Sequence, residues 1–220
     1  MEKMQADGKR TLIIGASGRG KSTKAKVLCK DYNRLIVFDT EEEYARDPAY
    51  IPCEKLSHVR DVLKSNWNNK CGFKIAFVPE ASAETTELHH LCKLLMHLQE
   101  PYKRGTDDRQ IGLVVEEMDL SFPDTQLPRA INGQKSCALR GRKRGINMIG
   151  ITQRPALVST SFRGNADEMY VFGLATGNDY KAVASVIGKE HEPLIRELQP
   201  HEYIKWDSSG AISKGRNVLS

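Results

Sequence analysis

Eight consecutive residues near the start of the chain have the types and spacing needed to hold a phosphate group. The segment Gly15 to Ser22 matches the pattern G-x-x-x-x-G-K-[ST] at every fixed position. In this pattern the glycines let backbone N–H groups wrap an anion, the lysine reaches the outer phosphates, and the serine hydroxyl is a ligand for Mg²⁺. An apolar segment, Thr11 to Ile14, precedes the pattern, and a helical segment, Ser22 to Lys30, follows it.

This context predicts a nucleotide cradle, with ATP and Mg²⁺ as its ligands, because the helix points its amino terminus at the anion. Lys21 is also expected to act in catalysis. The predicted ATP-binding residues are Gly15, Ala16, Ser17, Gly18, Arg19, Gly20, Lys21, Ser22 and Thr23.

Two adjacent carboxylates, Glu116 and Glu117, follow the apolar segment Ile111 to Val115. Because neighbours on an extended chain point in opposite directions, the two can divide their roles. We predict that Glu116 and Ser22 hold Mg²⁺ and that Glu117 polarises the attacking water as a general base. Many P-loop ATPases have Asp in the first position, so the division of roles between the two glutamates stays open. A strand that ends at a solvated acidic turn is the alternative, and the cradle favours the catalytic interpretation.

A glutamine, Gln153, follows the apolar segment Asn147 to Thr152. A glutamine at this point can contact the γ-phosphate or orient the attacking water, so we predict a catalytic role for it. Four basic residues crowd the stretch from Arg140 to Arg144. Taken alone, that stretch is interpreted as a solvated helix end.

Short apolar segments and amphipathic stretches alternate along the chain and must position these residues. One stretch, Glu84 to Gln99, has leucines at helical spacing, which we interpret as core packing. The alternation predicts an α/β fold with a mostly parallel central sheet and a carboxyl-terminal β-hairpin. Ligands bind beyond the carboxyl ends of such strands, where the predicted site residues lie. The predicted strands are 11–14, 35–38, 73–78, 111–115, 147–152, 169–174, 202–206 and 211–213.

Length and composition bound the remaining possibilities. The 220 residues predict a single motor domain over 1–220, with an amino-terminal extension at 1–10 and a hairpin and tail at 200–220. Five scattered cysteines form no C-x-x-C pair, which argues against a disulfide framework or a zinc site. No apolar run reaches the length of a membrane span, and the polar amino terminus is not a secretory signal. A net charge of +5 is weak evidence for a nucleic-acid partner.

Several segments, in order along the chain, resemble motifs of the FtsK–HerA superfamily of DNA-pumping P-loop ATPases. The most discriminating one is the sensor-like segment Thr152 to Pro155, and the double glutamate is similar to that of the HerA branch. The other matching segments are Val37 to Tyr44, Gly141 to Ile146 and Leu198 to Tyr203. The chain is little more than a motor core, so it looks most like the genome-packaging ATPases of tailless, membrane-containing icosahedral phages.

This resemblance implies a RecA-like, ASCE-type three-layer fold and ATP hydrolysis coupled to translocation of double-stranded DNA. It also implies a homo-oligomeric ring, pentameric or hexameric, in which a neighbouring subunit supplies an arginine to each ATP. Arg142 matches the relevant basic segment best, Arg140 is second and Arg163 third. Capsid or viral membrane proteins at one vertex are the implied partners, and the virion and host cytoplasm are the implied locations.

Other functions stay open at this stage. One is a P-loop small-molecule kinase, and another is a cellular HerA-like DNA-processing ATPase located in the cytoplasm. A non-catalytic nucleotide-binding assembly factor is a further alternative. A GTP-dependent switch is disfavoured because the sequence has no Asn-Lys-x-Asp segment.

Overall fold

The computed structural model describes residues 6–217, so the first five residues of the predicted amino-terminal extension and the last three of the predicted tail lie outside the described residues. The described chain forms one nine-stranded sheet with the order β3-β4-β2-β5-β6-β1-β7-β8-β9. The strands are β1 Arg10–Ile14, β2 Arg34–Phe38, β3 Ile51–Cys53, β4 Phe73–Phe77, β5 Ile111–Val115, β6 Ile146–Thr152, β7 Glu168–Val171, β8 Glu202–Asp207 and β9 Ile212–Arg216.

Strands β1 to β7 pair in parallel, and the β8–β9 hairpin continues the sheet antiparallel to β7. Helices connect the strands, and short 3₁₀ turns at 142–144, 155–157 and 189–191 complete the connections. The helices are α1 Lys21–Cys29, α2 Leu56–Asn66, α3 Glu84–Leu98, α4 Glu100–Lys103, α5 Met118–Ser121, α6 Gly133–Arg140, α7 Thr160–Arg163, α8 Gly177–Ile187 and α9 Glu192–Arg196.

Both faces of the sheet are covered, which explains why its central strands are apolar throughout. Every residue of β5 and β6 is buried. Alternate side chains of the strands enter two separate hydrophobic clusters. The larger cluster contains Leu88, Leu91 and Leu95 of α3, and the smaller one contains Ala25 and Cys29 of α1. This three-layer arrangement confirms the predicted α/β fold, and it places the leucines of α3 in the core as expected.

The strand order places β1 between β6 and β7, with β5 beyond β6. Because these strands are parallel, the loops that follow them all leave from the same edge of the sheet. The register pairs Ile14 with Thr152, so the predicted cradle starts beside Gln153. Two predicted boundaries were wrong by three residues. The strand expected at 169–174 is β7, which ends at Val171, and the strand expected at 211–213 is β9, which continues to Arg216.

No helix among residues 6–217 is both long and apolar enough to cross a bilayer.

Candidate nucleotide-binding and catalytic site

The loop after β1 is held by backbone contacts to the last residue of β6 and to the segment that follows β7. The N–H of Gly15 donates to the carbonyl of Thr152 at 3.2 Å, and the N–H of Ala16 donates to the carbonyl of Gly173 at 2.9 Å. Gly20 has a φ of 102° and a left-handed conformation directly before α1, a backbone angle that glycine adopts without strain. The loop therefore curves around an open space at the amino end of α1, as a phosphate cradle requires.

A cavity of about 440 Å³ lies at this edge of the sheet. It brings most of the predicted site residues together, because six residues of the cradle, both glutamates and Gln153 line it, whereas Gly15, Ala16 and Arg19 of the cradle do not. It also adds four residues that were not predicted as site residues, namely Glu41, Glu43, Ile151 and His201. Glu41, Glu43 and His201 lie in the motif-like segments 37–44 and 198–203, which was the available signal. The lining residues are Ser17, Gly18, Gly20, Lys21, Ser22, Thr23, Glu41, Glu43, Glu116, Glu117, Ile151, Gln153 and His201.

Lys21 is the first residue of α1 and is buried in the cavity wall. Its Nζ donates to the carbonyl oxygen of Ala16 at 3.2 Å, so the ammonium group lies over its own loop. Burial lowers the pKa of Lys21, and the nearby carboxylates of Glu117, Glu116 and Asp119 oppose that shift. The cavity thus presents one buried cation facing several carboxylates, and this cation can neutralise the outer phosphates of a nucleotide.

The backbone of the acidic pair differs from the extended form that the sequence suggested. Strand β5 ends at Val115, and Glu117 has a left-handed conformation with φ 37° and ψ 57° at the start of α5. Such a conformation costs about 1–3 kcal/mol for a residue other than glycine. The two carboxylates still point in different directions. The cause is the turn at Glu117, and not the alternation of side chains along a strand.

Glu117 and Gln153 form a hydrogen-bonded pair across the ends of β5 and β6. The Nε2 of Gln153 donates to Oε1 of Glu117 at 2.8 Å. Burial raises the pKa of Glu117, and the hydrogen bond from Gln153 opposes that rise. A carboxylate with a raised pKa accepts a proton more readily near neutral pH, which suits a general base.

The neighbouring carboxyl, that of Glu116, is nearly fully buried and interacts with Asp39 at the end of β2. Burial, together with a hydrogen bond to Asp39, raises the pKa of Glu116 to about 9. Asp39 also accepts hydrogen bonds from the backbone N–H groups of Glu43 (3.0 Å) and Ala45 (2.7 Å), which fixes the loop after β2. The Oε2 of Glu116 has no hydrogen-bond partner among residues 6–217.

The residues present fit Mg²⁺. Within the described chain, no three His, Cys, Asp or Glu residues are grouped to hold a metal by themselves. The cavity instead offers the hydroxyl of Ser22 and the unpartnered oxygen of Glu116 beside a phosphate cradle. Mg²⁺ is usually bound in this way, through one or two protein oxygens plus the phosphates of a substrate.

A further residue, Asp119 in α5, holds the end of β6 in place. The hydroxyl of Thr152 donates to Oδ1 of Asp119 at 2.6 Å, and the N–H of Arg154 donates to the same hydroxyl at 2.9 Å. Gln153 lies between these two anchored residues, so its orientation toward Glu117 is fixed. The only sequence signal for this contact is that Asp119 comes shortly after the acidic pair. An aspartate at that spacing is equally well explained as a residue exposed to solvent.

The structure does not bring the predicted arginines to the cradle of their own chain. Arg142 precedes β6 at the opposite edge of the sheet, where it pairs with Asp167 at 2.8 Å and with Asp7 at 3.3 Å. Arg163 is buried and donates to the carbonyl oxygens of Pro155 and Val158. Its guanidinium therefore does not extend toward a neighbouring subunit. An arginine supplied by a neighbouring subunit stays a prediction.

Arg140, the second candidate, is exposed at the end of α6.

Fold and site together define a P-loop NTPase fold: a mostly parallel sheet with a G-x-x-x-x-G-K-[ST] cradle after β1 and an acidic pair after β5. No family model matches the sequence. No curated protein matches it either.

Solved structures do share the fold. The genome packaging NTPase B204 from Sulfolobus turreted icosahedral virus 2, in complex with AMPPCP, has a TM-score of 0.72 at 17% identity, over 97% of this chain and 99% of that one. VirB4 of Thermoanaerobacter pseudethanolicus has a TM-score of 0.68 at 14% identity, over 96% of this chain and 90% of that one. EssC from Geobacillus thermodenitrificans has a TM-score of 0.58 at 12% identity, over 91% of this chain and 38% of that one. These likenesses confirm the fold that the sequence resemblance implies.

Proposed function

We propose that this chain is an ATP-hydrolysing double-stranded DNA translocase that packages a viral genome into a preformed capsid. The observation that carries the proposal is the Glu117–Gln153 pair, which faces the buried Lys21 across the cradle. A small-molecule kinase needs an acceptor pocket at this point, whereas a general base beside a water-orienting amide suits hydrolysis. The likeness to B204 over nearly the full length of both chains supports the packaging role.

In the proposed reaction, the backbone of the cradle binds the phosphates and Lys21 neutralises their negative charge. Gln153 orients a water molecule, and Glu117 accepts its proton as the oxygen of that water bonds to the γ-phosphorus and the bond to ADP breaks. Ser22 and Glu116 would hold Mg²⁺, which supplies further neutralisation of the phosphate charge when bound. Each step uses a residue that lines the same cavity.

The proposed partners are double-stranded DNA, further copies of the chain in a pentameric or hexameric ring, and capsid or membrane proteins at one vertex. The net charge of +5 is consistent with contacts to DNA phosphates, which hold DNA without reading its sequence.

The test is the steady-state ATPase rate of the full chain with and without long double-stranded DNA. We expect DNA to raise the rate at low salt and the stimulation to decline as salt rises, because counterion release drives phosphate binding. Lys21→Ala should abolish turnover. Indifference to DNA together with phosphate transfer to a small acceptor would contradict the proposal and favour a kinase.

A further inference from the structure

The end of the β8–β9 hairpin returns to the cradle and contacts it directly. Asn217, just after β9, donates from Nδ2 to the carbonyl oxygen of Gly20 at 2.7 Å. The N–H of Asn217 donates to the carbonyl oxygen of His201 at 2.9 Å. The hairpin is also joined to α1, because Nζ of Lys24 donates to the hydroxyl of Tyr203 at 3.0 Å. His201 is thereby fixed beside the cradle from two directions.

His201 has two features that its place in the fold does not require. Its φ is 65°, a left-handed conformation that is uncommon for residues other than glycine and that clusters at ligand sites. Its side chain lines the cavity, yet the buried Nδ1 has no hydrogen-bond partner among residues 6–217. The ring also lies close to the loop, since a Cβ placed on Gly20 would be 2.9 Å from Nδ1.

The strand order determines which part of a nucleotide would meet this histidine. Glu117 and Gln153 follow β5 and β6, on one side of β1. His201 precedes β8, on the other side of β1, and β8 is antiparallel, so its amino end lies at the same edge of the sheet. A triphosphate whose γ-phosphate faces Glu117 therefore directs its nucleoside toward His201.

We propose that His201 is a nucleotide-binding residue that contacts the ribose or base of bound ATP. An imidazole suits this contact because its ring face packs on a base while its nitrogens donate to or accept from hydroxyl and base nitrogen atoms. The inference rests on the proposed function, since it takes the orientation of ATP from the position of the hydrolytic residues. In this arrangement the carboxyl-terminal hairpin forms one wall of the nucleotide site.

The experiment compares two ligands, Mg-ATP and Mg-tripolyphosphate, by titration calorimetry on the full chain. Tripolyphosphate carries the phosphates without the nucleoside. His201→Gly should weaken Mg-ATP binding about tenfold, the effect of losing one good contact, and change tripolyphosphate binding by less than about twofold. Glycine accepts the left-handed backbone, so this variant should melt at the temperature of the unchanged chain or above it.

Two further variants keep the result interpretable. His201→Asn tolerates the left-handed conformation without the imidazole and should reproduce the selective loss of Mg-ATP affinity. His58→Ala removes an exposed histidine of α2 and should bind both ligands like the unchanged chain.

Unchanged ATP affinity in His201→Gly, or an equal loss for both ligands, would overturn the inference. Failure of the unchanged chain to bind either ligand would instead refute the proposed function itself.

Discussion

At the scale of single residues, the two adjacent glutamates have different environments and hence different chemistry. Glu117 receives a hydrogen bond from Gln153, while Glu116 is buried against Asp39. The sequence could predict that a pair of carboxylates follows β5, because apolar strands ending in acidic residues are visible as a pattern. It could not predict their partners, since Asp39 and Gln153 come from other strands and only the strand order brings them to the pair.

Glu117→Gln should prevent turnover and leave ATP bound. The amide is close in size to the carboxylate but cannot accept the proton of the attacking water, so we expect the hydrolysis rate to fall at least 100-fold with little change in ATP affinity. The measurement is a single-turnover assay alongside a binding titration. Glu54→Gln, at an exposed carboxylate, is the matched control. Normal turnover in Glu117→Gln would assign the base to another residue.

Glu116→Gln should stabilise the nucleotide-free chain in alkaline solution. Burial and the hydrogen bond to Asp39 raise the folded-state pKa of Glu116 to about 9, above its ordinary value of 4.5. The unfolded chain loses that proton first, so the folding free energy from this group is fully present below about pH 4.5 and is lost as pH rises toward 9. At pH 8 these two pKa values set an upper bound of about 5 kcal/mol on this cost. The amide avoids the cost, so we expect a gain of at least about 2 kcal/mol, or roughly 4–8 °C in Tm. A melting temperature unchanged at pH 8 would contradict the assigned environment.

At the scale of elements, local patterns predicted β1, β2, β4, β5 and β6 to within one residue, because buried parallel strands are continuously apolar. The same reasoning missed β3, a three-residue edge strand that contains Pro52. It interpreted Arg140 to Arg144 as a helix end, where α6 does end, but it missed the start of α6, whose first residues are Gly133, Gln134 and Lys135. The start of α6 is stabilised by a contact from another helix, which explains why no local signal identified it.

The outside contact is His89 of α3, whose Nδ1 accepts hydrogen bonds from the N–H groups of Asn132 (3.1 Å) and Gly133 (2.9 Å). An imidazole thus replaces the side-chain cap that α6 lacks. His89→Ala should leave both N–H groups without this acceptor and cost about 2 kcal/mol, or roughly 4–8 °C in Tm. The exposed neighbour His90 offers the control variant, His90→Ala, which should melt like the unchanged chain.

The same contact makes stability depend on pH. Burial, with smaller contributions from the charges of His90 and Lys93, lowers the pKa of His89 below its ordinary value of 6.5. The folded chain therefore favours the neutral ring, so the stabilisation is complete above about pH 6.5 and is lost as pH falls below that value. Thermal melts at several pH values should show this decline for the unchanged chain and a weaker one for His89→Ala. If Tm falls equally with pH in the unchanged chain and in His89→Ala, the pH dependence does not come from protonation of His89.

At the scale of the whole molecule, the fold could be predicted from the sequence, whereas the assembly could not. The cradle motif and the strand order are properties of one chain. The proposed ring would be formed by surfaces whose partners are in other copies, and no sequence pattern shows which exposed residue reaches a neighbour. The choice between Arg140 and Arg142 therefore depends on their surroundings: Arg140 is exposed, while Arg142 is paired with two carboxylates.

If neighbouring subunits complete each ATP site, mixing two inactive variants should restore activity. Arg140→Ala should lose turnover but retain ATP binding, since the exposed guanidinium would act on the neighbour's γ-phosphate. Lys21→Ala retains that arginine but has no working cradle. In mixed rings, an Arg140→Ala cradle beside a Lys21→Ala subunit has every group it needs, so partial ATPase activity should return.

Arg142→Ala should instead lower Tm by disrupting the pairs with Asp167 and Asp7, and it should keep measurable turnover. Restoration by Arg142→Ala and not by Arg140→Ala would transfer the role to Arg142, and no restoration by either would argue against a shared site.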